Sequence, residues 1–349
     1  MSIWLMAALP ALAAGAAPVS PEVTGNAQHP LWSPDGARLS YEINDHEAKT
    51  VTLFLYDPGR GPTKVSPSAR GASSITAGFS TSPASQVVHE LSWSPPSQGT
   101  FVYSASGADQ DYDLYLGTGS AIAAFPGADG GPAWSPDGKH IAFTSARTGQ
   151  GDVYLLRVDD LAAPPRQLSD DPTSSEVYVT WSPDSARLAW VGHNKTGDAV
   201  YMLDSLDGKP RALASFGHTQ TRPSFSPDGR SLAFYSDHLE PGRFDLWITP
   251  LDGPPRKLVE KVVLNDAGPQ WTSDGRVVYV LDDDDRFDPV YVIDPKGGPG
   301  KPVPTRTVGN GDHHVVRAAD GTDWLAVAAQ GELYGQDRDY KRIYVMQLP

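Results

Sequence analysis

The chain contains no cysteine. No disulfide can staple it and no lipidated cysteine can anchor it, although this absence alone assigns no compartment. Basic residues are scarce: 28 Lys and Arg stand against 42 Asp and Glu in 349 residues, a net charge of −14. No basic stripe occurs, so nucleic acid and anionic lipid are poor partners. Long apolar runs are missing too. The best candidate, residues 3–17, is Ala-rich and too short to span a bilayer. It has the length of a signal-peptide core, with Ala14-Gly15-Ala16 or Gly15-Ala16-Ala17 as the small residues before cleavage, although the first basic residue is Arg38. The expectation is export: residues 1–17 removed, 18–349 retained without a membrane span, and a periplasmic or secreted location. Catalytic signatures are also absent. There is no G-x-S-x-G elbow, P-loop or dinucleotide fingerprint.

Turn residues are abundant, with 34 Gly and 32 Pro, as a chain of many short strands requires. They belong to a repeat. Trp134-Ser135-Pro136-Asp137-Gly138 recurs, intact or worn, at Trp32, Trp93, Trp181, Phe225 and Trp271, with a faint copy at Arg317. Successive copies start 61, 41, 47, 44, 46 and 46 residues apart. Roughly 40–50 residues per unit is the size of one four-stranded propeller blade. In each unit an aromatic residue ends one strand. Pro then presets the first corner of a turn, Asp bonds nearby amides, and Gly takes the positive φ. A β-branched or aromatic run follows, as at Ile141, Ala142 and Phe143. A third strand opens, often on Asp (Asp113, Asp152, Asp245), and a weak fourth begins at Arg166, Arg211 or Arg256. Trp32, Trp93, Trp134, Trp181, Phe225 and Trp271 are expected to pack between blades. Asp35, Asp137, Asp184, Asp228 and Asp274 are expected to shape turns.

These units resemble the TolB-type β-propeller repeat, a relative of WD repeats found in the envelope protein TolB and in the propellers of prolyl-oligopeptidase-like enzymes. The resemblance runs from about Gln28 to the C-terminus. It implies an all-β propeller of four-stranded antiparallel blades, and the seven copies of the repeat imply seven blades, where TolB itself has six. The last unit ends at its third strand, so residues 19–24 are expected to supply its outer strand and close the ring. The irregular stretch 59–87 accounts for the 61-residue gap, with a fourth strand expected at 63–66 and a loop after it.

Histidines and charges sort by loop. His29, His89, His218, His313 and His314 precede inner strands, on the face opposite the tight turns. His29, His89 and His314 sit three or four residues before the repeat's first position. Such a cluster suits a divalent cation, and separate solvated loop histidines are the plainer reading. Seven-bladed oligogalacturonate lyases have related repeats and hold a metal with channel histidines. That resemblance makes a metal-dependent enzyme acting on acidic sugars the alternative function, with Arg222, Arg243, Arg286 and Arg317 as candidate substrate-binding cations. Asp109, Asp111 and Asp113 have a spacing reminiscent of calcium loops, but Leu114 stands where Gly is wanted. With no catalytic motif assembled, the leading expectation is a non-enzymatic scaffold. TolB-like relatives imply an envelope protein or peptide as partner, bound on the long-loop face by His29, His89, His218, His313, His314, Arg222, Arg243 and Arg286.

Overall fold

The computed structural model describes residues 16–21, 24–45, 47, 50–65, 88–106, 111–117, 121–123, 126–283, 287–332 and 340–349. Each repeat becomes one antiparallel sheet. In blade three the strands run Asp129–Trp134, His140–Ser145, Asp152–Arg157 and Arg166–Gln167, side by side in chain order. Ile141, Ala142 and Phe143 are fully buried, which is why the second strand reads as a continuous apolar run. Among the described residues there are seven such four-stranded sheets. The protein is an all-β, seven-bladed β-propeller. No described helix is long and apolar enough to cross a membrane.

The repeated turn folds as its residues dictate. The Ser135 hydroxyl donates to Asp137 Oδ1 at 2.7 Å, which also accepts the Lys139 amide at 3.1 Å. The His140 amide donates to Ser135 Oγ at 2.9 Å, and Gly138 takes φ 75°. The same network recurs at Ser33 and Asp35, Ser182 and Asp184, and Ser226 and Asp228. The Ser182 and Ser226 hydroxyls, with backbone amides, hold the Asp184 and Asp228 carboxyls below the usual range. In Asp184 and Asp228 it is Oδ1 that is committed to the turn.

Contacts divide the chain into two compact units. The first, residues 66–75 and 86–260, contains blades two to five. Its repeat positions Trp134, Trp181 and Phe225 pack between neighbouring sheets. Trp134 of blade three lies with Val102 and Leu114 of blade two. Trp181 of blade four lies with Val153 and Leu155 of blade three, and its indole N–H donates to Ala133 O at 2.9 Å.

The second unit, residues 1–65, 76–85 and 261–349, contains blades one, six and seven. Val315, Leu325 and Val327 of blade seven pack on Val278, Val280 and Val290 of blade six. On its other side Val316, Ala326 and Val345 pack on Trp32, Leu39 and Tyr41 of blade one. Blade seven has strands His313–Arg317, Asp323–Ala329 and Arg342–Gln347. Its outer strand comes from the N-terminal segment Ala17–Pro18, which pairs with Val345 and Tyr344. The Val19 amide adds a bond to Ile343 O at 2.8 Å. The pairing thus lies two residues earlier than residues 19–24. Ser20 ends it by accepting the Ile343 amide on Oγ at 3.0 Å. Residues beyond Ser20 carry the chain to the inner strand of blade one, Asn26–Trp32. Gly25 makes that approach possible, because a Cβ there would lie 2.7 Å from Asn44 O. The outer strand of blade one is Gly61–Lys64, also two residues early, with Val65 still bonded to Leu53 O at 3.0 Å. Residues 66–87 lie outside the described set.

Candidate functional site

Five inner strands share an irregularity. Pairing with the second strand slips between Gln28 and Leu31, His89 and Ser92, Gly130 and Ala133, Val177 and Thr180, and Thr221 and Ser224. Each slip is a β-bulge three residues before the repeat's first position. The bulged residues have positive φ: His29 (50°), Glu90 (56°), Gly131 (56°), Tyr178 (58°) and Arg222 (54°). Four of these are not glycine, and left-handed backbone costs such residues roughly 1 kcal/mol or more each. Bulges re-aim a side chain at the edge of a sheet. Here they do so at one fixed place in the repeat.

In the unit of blades one, six and seven, the bulge directs His29 into a group of carboxylates. His29 Nδ1 lies 3.1 Å from Glu42 Oε2, on the second strand of the same blade. Its Nε2 makes a short hydrogen bond with Asp266 and lies 3.6 Å from Asp312 Oδ2. Asp266 sits in the turn 265–268 that leads into blade six. Asn265 fixes this turn: its Oδ1 accepts the His313 amide at 3.1 Å, and its Nδ2 donates to His313 O at 2.9 Å. Asp312 directly precedes the inner strand of blade seven. Its carboxylate accepts the Asp266 amide at 3.1 Å and the His29 amide at 3.3 Å. The Asp266 and His29 side chains are 38% and 31% exposed, whereas Glu42 is 7% exposed, so the group opens to solvent on the Nε2 side. Burial would lower the His29 pKa. The bonds to Asp266 and Glu42, with the charges of Glu42 and Asp312, outweigh it and push the imidazole up to about 11.

In the unit of blades two to five, the bulges build a different surface. Glu90 Oε2 accepts the Gly131 amide of the next blade at 2.6 Å. An open cleft of about 410 Å³ lies there, lined by Glu90, Ser104, Tyr112, Asp129, Gly130 and Thr144. Asp129 is fully buried and paired with Arg147 at 3.0 Å. Burial raises its pKa against the pull of Ser145 and Arg147. Further along, the Arg222 guanidinium lies 4.5 Å from the centre of the Tyr178 ring, a cation–π contact between successive bulges.

The TolB beta propeller domain pattern, PD40, matches residues 171–341. This is a TolB-type β-propeller repeat protein. Among its relatives, an uncharacterised protein of Agrobacterium fabrum is 29% identical over 41% of this chain and 52% of its own length. A TolB homologue of Chlorobium chlorochromatii is 30% identical over 30% of this chain and 23% of its own. The chain thus spans about half or less of the curated relatives it matches. TolB from Acinetobacter baumannii superposes with a TM-score of 0.56 at 20% identity, covering 76% of this chain and 63% of that one. A puromycin-hydrolyzing peptidase of Mycobacterium tuberculosis gives 0.60 at 15% identity, covering 95% and 56%. At these identities the likeness concerns fold alone.

Within this TolB-type propeller the anticipated site residues take several roles. His29 joins Asp266 and Asp312, and among the described residues this is the group whose donors lie within metal-binding reach of one another. His314 turns away: its Nδ1 accepts the Trp32 amide at 3.2 Å. Burial, then His313, holds its pKa at about 3. His313 is fully buried, with its ring nitrogens 3.0 Å from Gly311 O and 3.3 Å from Val278 O. It holds blade seven to blade six. His218 is exposed, and Arg243 pairs with Glu240 at 2.9 Å. Arg317 lies 3.5 Å from Asp323. The His89 backbone pairs with Ser104, and its side chain, like Arg286 and Asp109, lies outside the described residues. Asp111 accepts the Gly127 and Tyr112 amides at 2.8 and 3.0 Å, and Asp113 is buried within strand Tyr112–Leu116.

Sequence reasoning missed Asp266, Asp312 and Glu42. A signal for the first two existed. Both stand five residues before the repeat's first position, as do Asp129 and Glu176. An acid at a fixed offset in four copies marks a shared place in the fold. Glu42 gives no such signal, since only the bulge at His29 brings it within reach.

Proposed function

We propose that this protein is an exported, TolB-like propeller that binds a protein or peptide in the cell envelope without transforming it. Residues 18–349 would act as one propeller domain after loss of 1–17. Loss of 1–17 would leave Pro18, in the outer strand of blade seven, as the new N-terminus, and the alternative cleavage after Ala16 would keep both residues of that strand. The observation that carries this reading is the row of bulges. Glu90, Tyr178 and Arg222 occupy strained backbone at equivalent positions, and their side chains differ in every chemical respect. Strain kept for varied polar side chains suits recognition of a heterogeneous ligand such as a polypeptide. The cleft presents the exposed Glu90 carboxylate, Asp129 being buried against Arg147, and the chain carries −14 overall, so the partner segment should present Lys or Arg there.

The test is titration of the full mature chain with extended Lys- and Arg-containing peptides, followed by calorimetry and by mass spectrometry of the peptide. Binding without cleavage is expected, and Glu90→Gln should weaken it at least fivefold while leaving the melting temperature unchanged. Cleavage of the peptide, or affinity indifferent to Glu90→Gln, would count against the proposal.

A further inference from the structure

We infer that His29, Asp266 and Asp312 form a binding site for one divalent transition-metal ion, with Glu42 orienting the imidazole. This goes beyond the peptide-binding reading, which needs no metal and rests on other residues.

The donor set is one imidazole nitrogen and two carboxylates. His29 Nε2, an Asp266 oxygen and an Asp312 oxygen all lie within 4.8 Å of one another, so that small side-chain shifts suffice to bring them round a common ion with bonds near 2.0–2.2 Å. The other face of the imidazole is already committed. Nδ1 is 3.1 Å from Glu42 Oε2, and Glu42 is 7% exposed. A buried carboxylate taking Nδ1–H fixes the tautomer that leaves Nε2 free to ligate, and makes that nitrogen more basic. The carboxylates are also pre-set. Asp312 is tied to the amides of His29 and Asp266 at 3.3 and 3.1 Å. Asp266 rides on a turn clamped by the fully buried Asn265. Each ligand therefore comes from a different blade, and none has to travel far.

Charge favours the same conclusion. Glu42, Asp266 and Asp312 bring three carboxylates to a single imidazole, so a proton on His29 still leaves a negative surplus that a dication would offset. The half-exposed side of Asp266 and His29 leaves room for water to complete the coordination shell. Imidazole with carboxylate suits Mn, Fe, Co or Zn in the divalent state, while calcium prefers six or more oxygens. The competing arrangement is metal-free, with the imidazolium itself bridging the acids. A bound ion would take the place of the Nε2 proton.

The test uses the untagged mature chain, stripped with EDTA and dialysed. Zn²⁺, Mn²⁺ and Ca²⁺ are titrated separately by calorimetry, and Co²⁺ is followed by its visible absorption. One equivalent of Zn²⁺ or Co²⁺ is expected, with Ca²⁺ much weaker. His29→Gln and Asp312→Asn should each lower affinity at least 30-fold, and Glu42→Gln about tenfold. Melting curves in EDTA establish that each variant is folded. Should His29→Gln fail to fold, Asp266→Asn, at the most exposed of the three ligands, carries the test, with the same loss expected. Absence of stoichiometric uptake by the wild-type chain would overturn the inference. So would uptake that is unchanged in the folded ligand variants, since the ion would then be adventitious.

Discussion

At the scale of the residue, one offset in the repeat is used in several ways. Asp129, Glu176, Asp266 and Asp312 all stand five positions before the motif. Asp129 is matched by Arg147, whose guanidinium also lies 4.4 Å from the centre of the Tyr154 ring. Arg147→Met would leave a fully buried carboxylate uncompensated and should cost about 3 kcal/mol in urea denaturation. Among the described residues no cation pairs with Glu176. Burial lifts its pKa from 4.5 to about 7, opposed only in part by the Ser174 and Ser169 hydroxyls. In the folded chain it therefore keeps its proton at pH values where the unfolded chain has released it. This contribution to stability is present near pH 4.5 and is lost as pH rises through about 7. Glu176→Gln removes the effect. The variant should gain on the wild type between pH 5 and pH 8, by at most about 3 kcal/mol, as read from thermal melts at both values. The acids at this offset were visible in the sequence as letters. Their partners were not, because Arg147 and His29 reach them only through folded strands.

At the scale of the element, the legible features are those with local chemistry. Ser-Pro-Asp-Gly makes a turn wherever it occurs, and the strands after it follow from their β-branched and aromatic content. The bulges were hidden. Positive φ is read from Gly or Asn, and four bulges carry His, Glu, Tyr or Arg instead; tertiary packing overrides the local preference. The N-terminal strand was expected from the missing outer strand of the last unit, though two residues late. It gives a direct prediction. A chain starting at Pro21 loses the partners of Ile343, Tyr344 and Val345. The third strand of blade seven becomes an open edge. Its melting temperature should fall by roughly 10 °C, given several lost bonds and the packing of Val19 and Ala16. A chain starting at Ala17 should melt within about 2 °C of the full-length protein, because the strand is retained.

At the scale of the whole molecule, blade number was legible because a motif repeated at a near-constant period needs no tertiary information. The faint copy at Arg317 was enough to count the seventh. Function was less legible, since the repeat specifies the scaffold and the bulges vary the side chains mounted on it. A charge of −14 predicts that affinity for a basic peptide falls as salt is raised, by about tenfold between 50 and 500 mM, through slower association. The most direct measurement of the account is hydrogen–deuterium exchange with and without a saturating basic peptide. It predicts protection at the bulged ends of the inner strands, residues 88–91, 129–131, 176–178 and 220–222. Protection confined to the Ser-Pro-Asp-Gly turns, or no protection under saturating conditions, would contradict it.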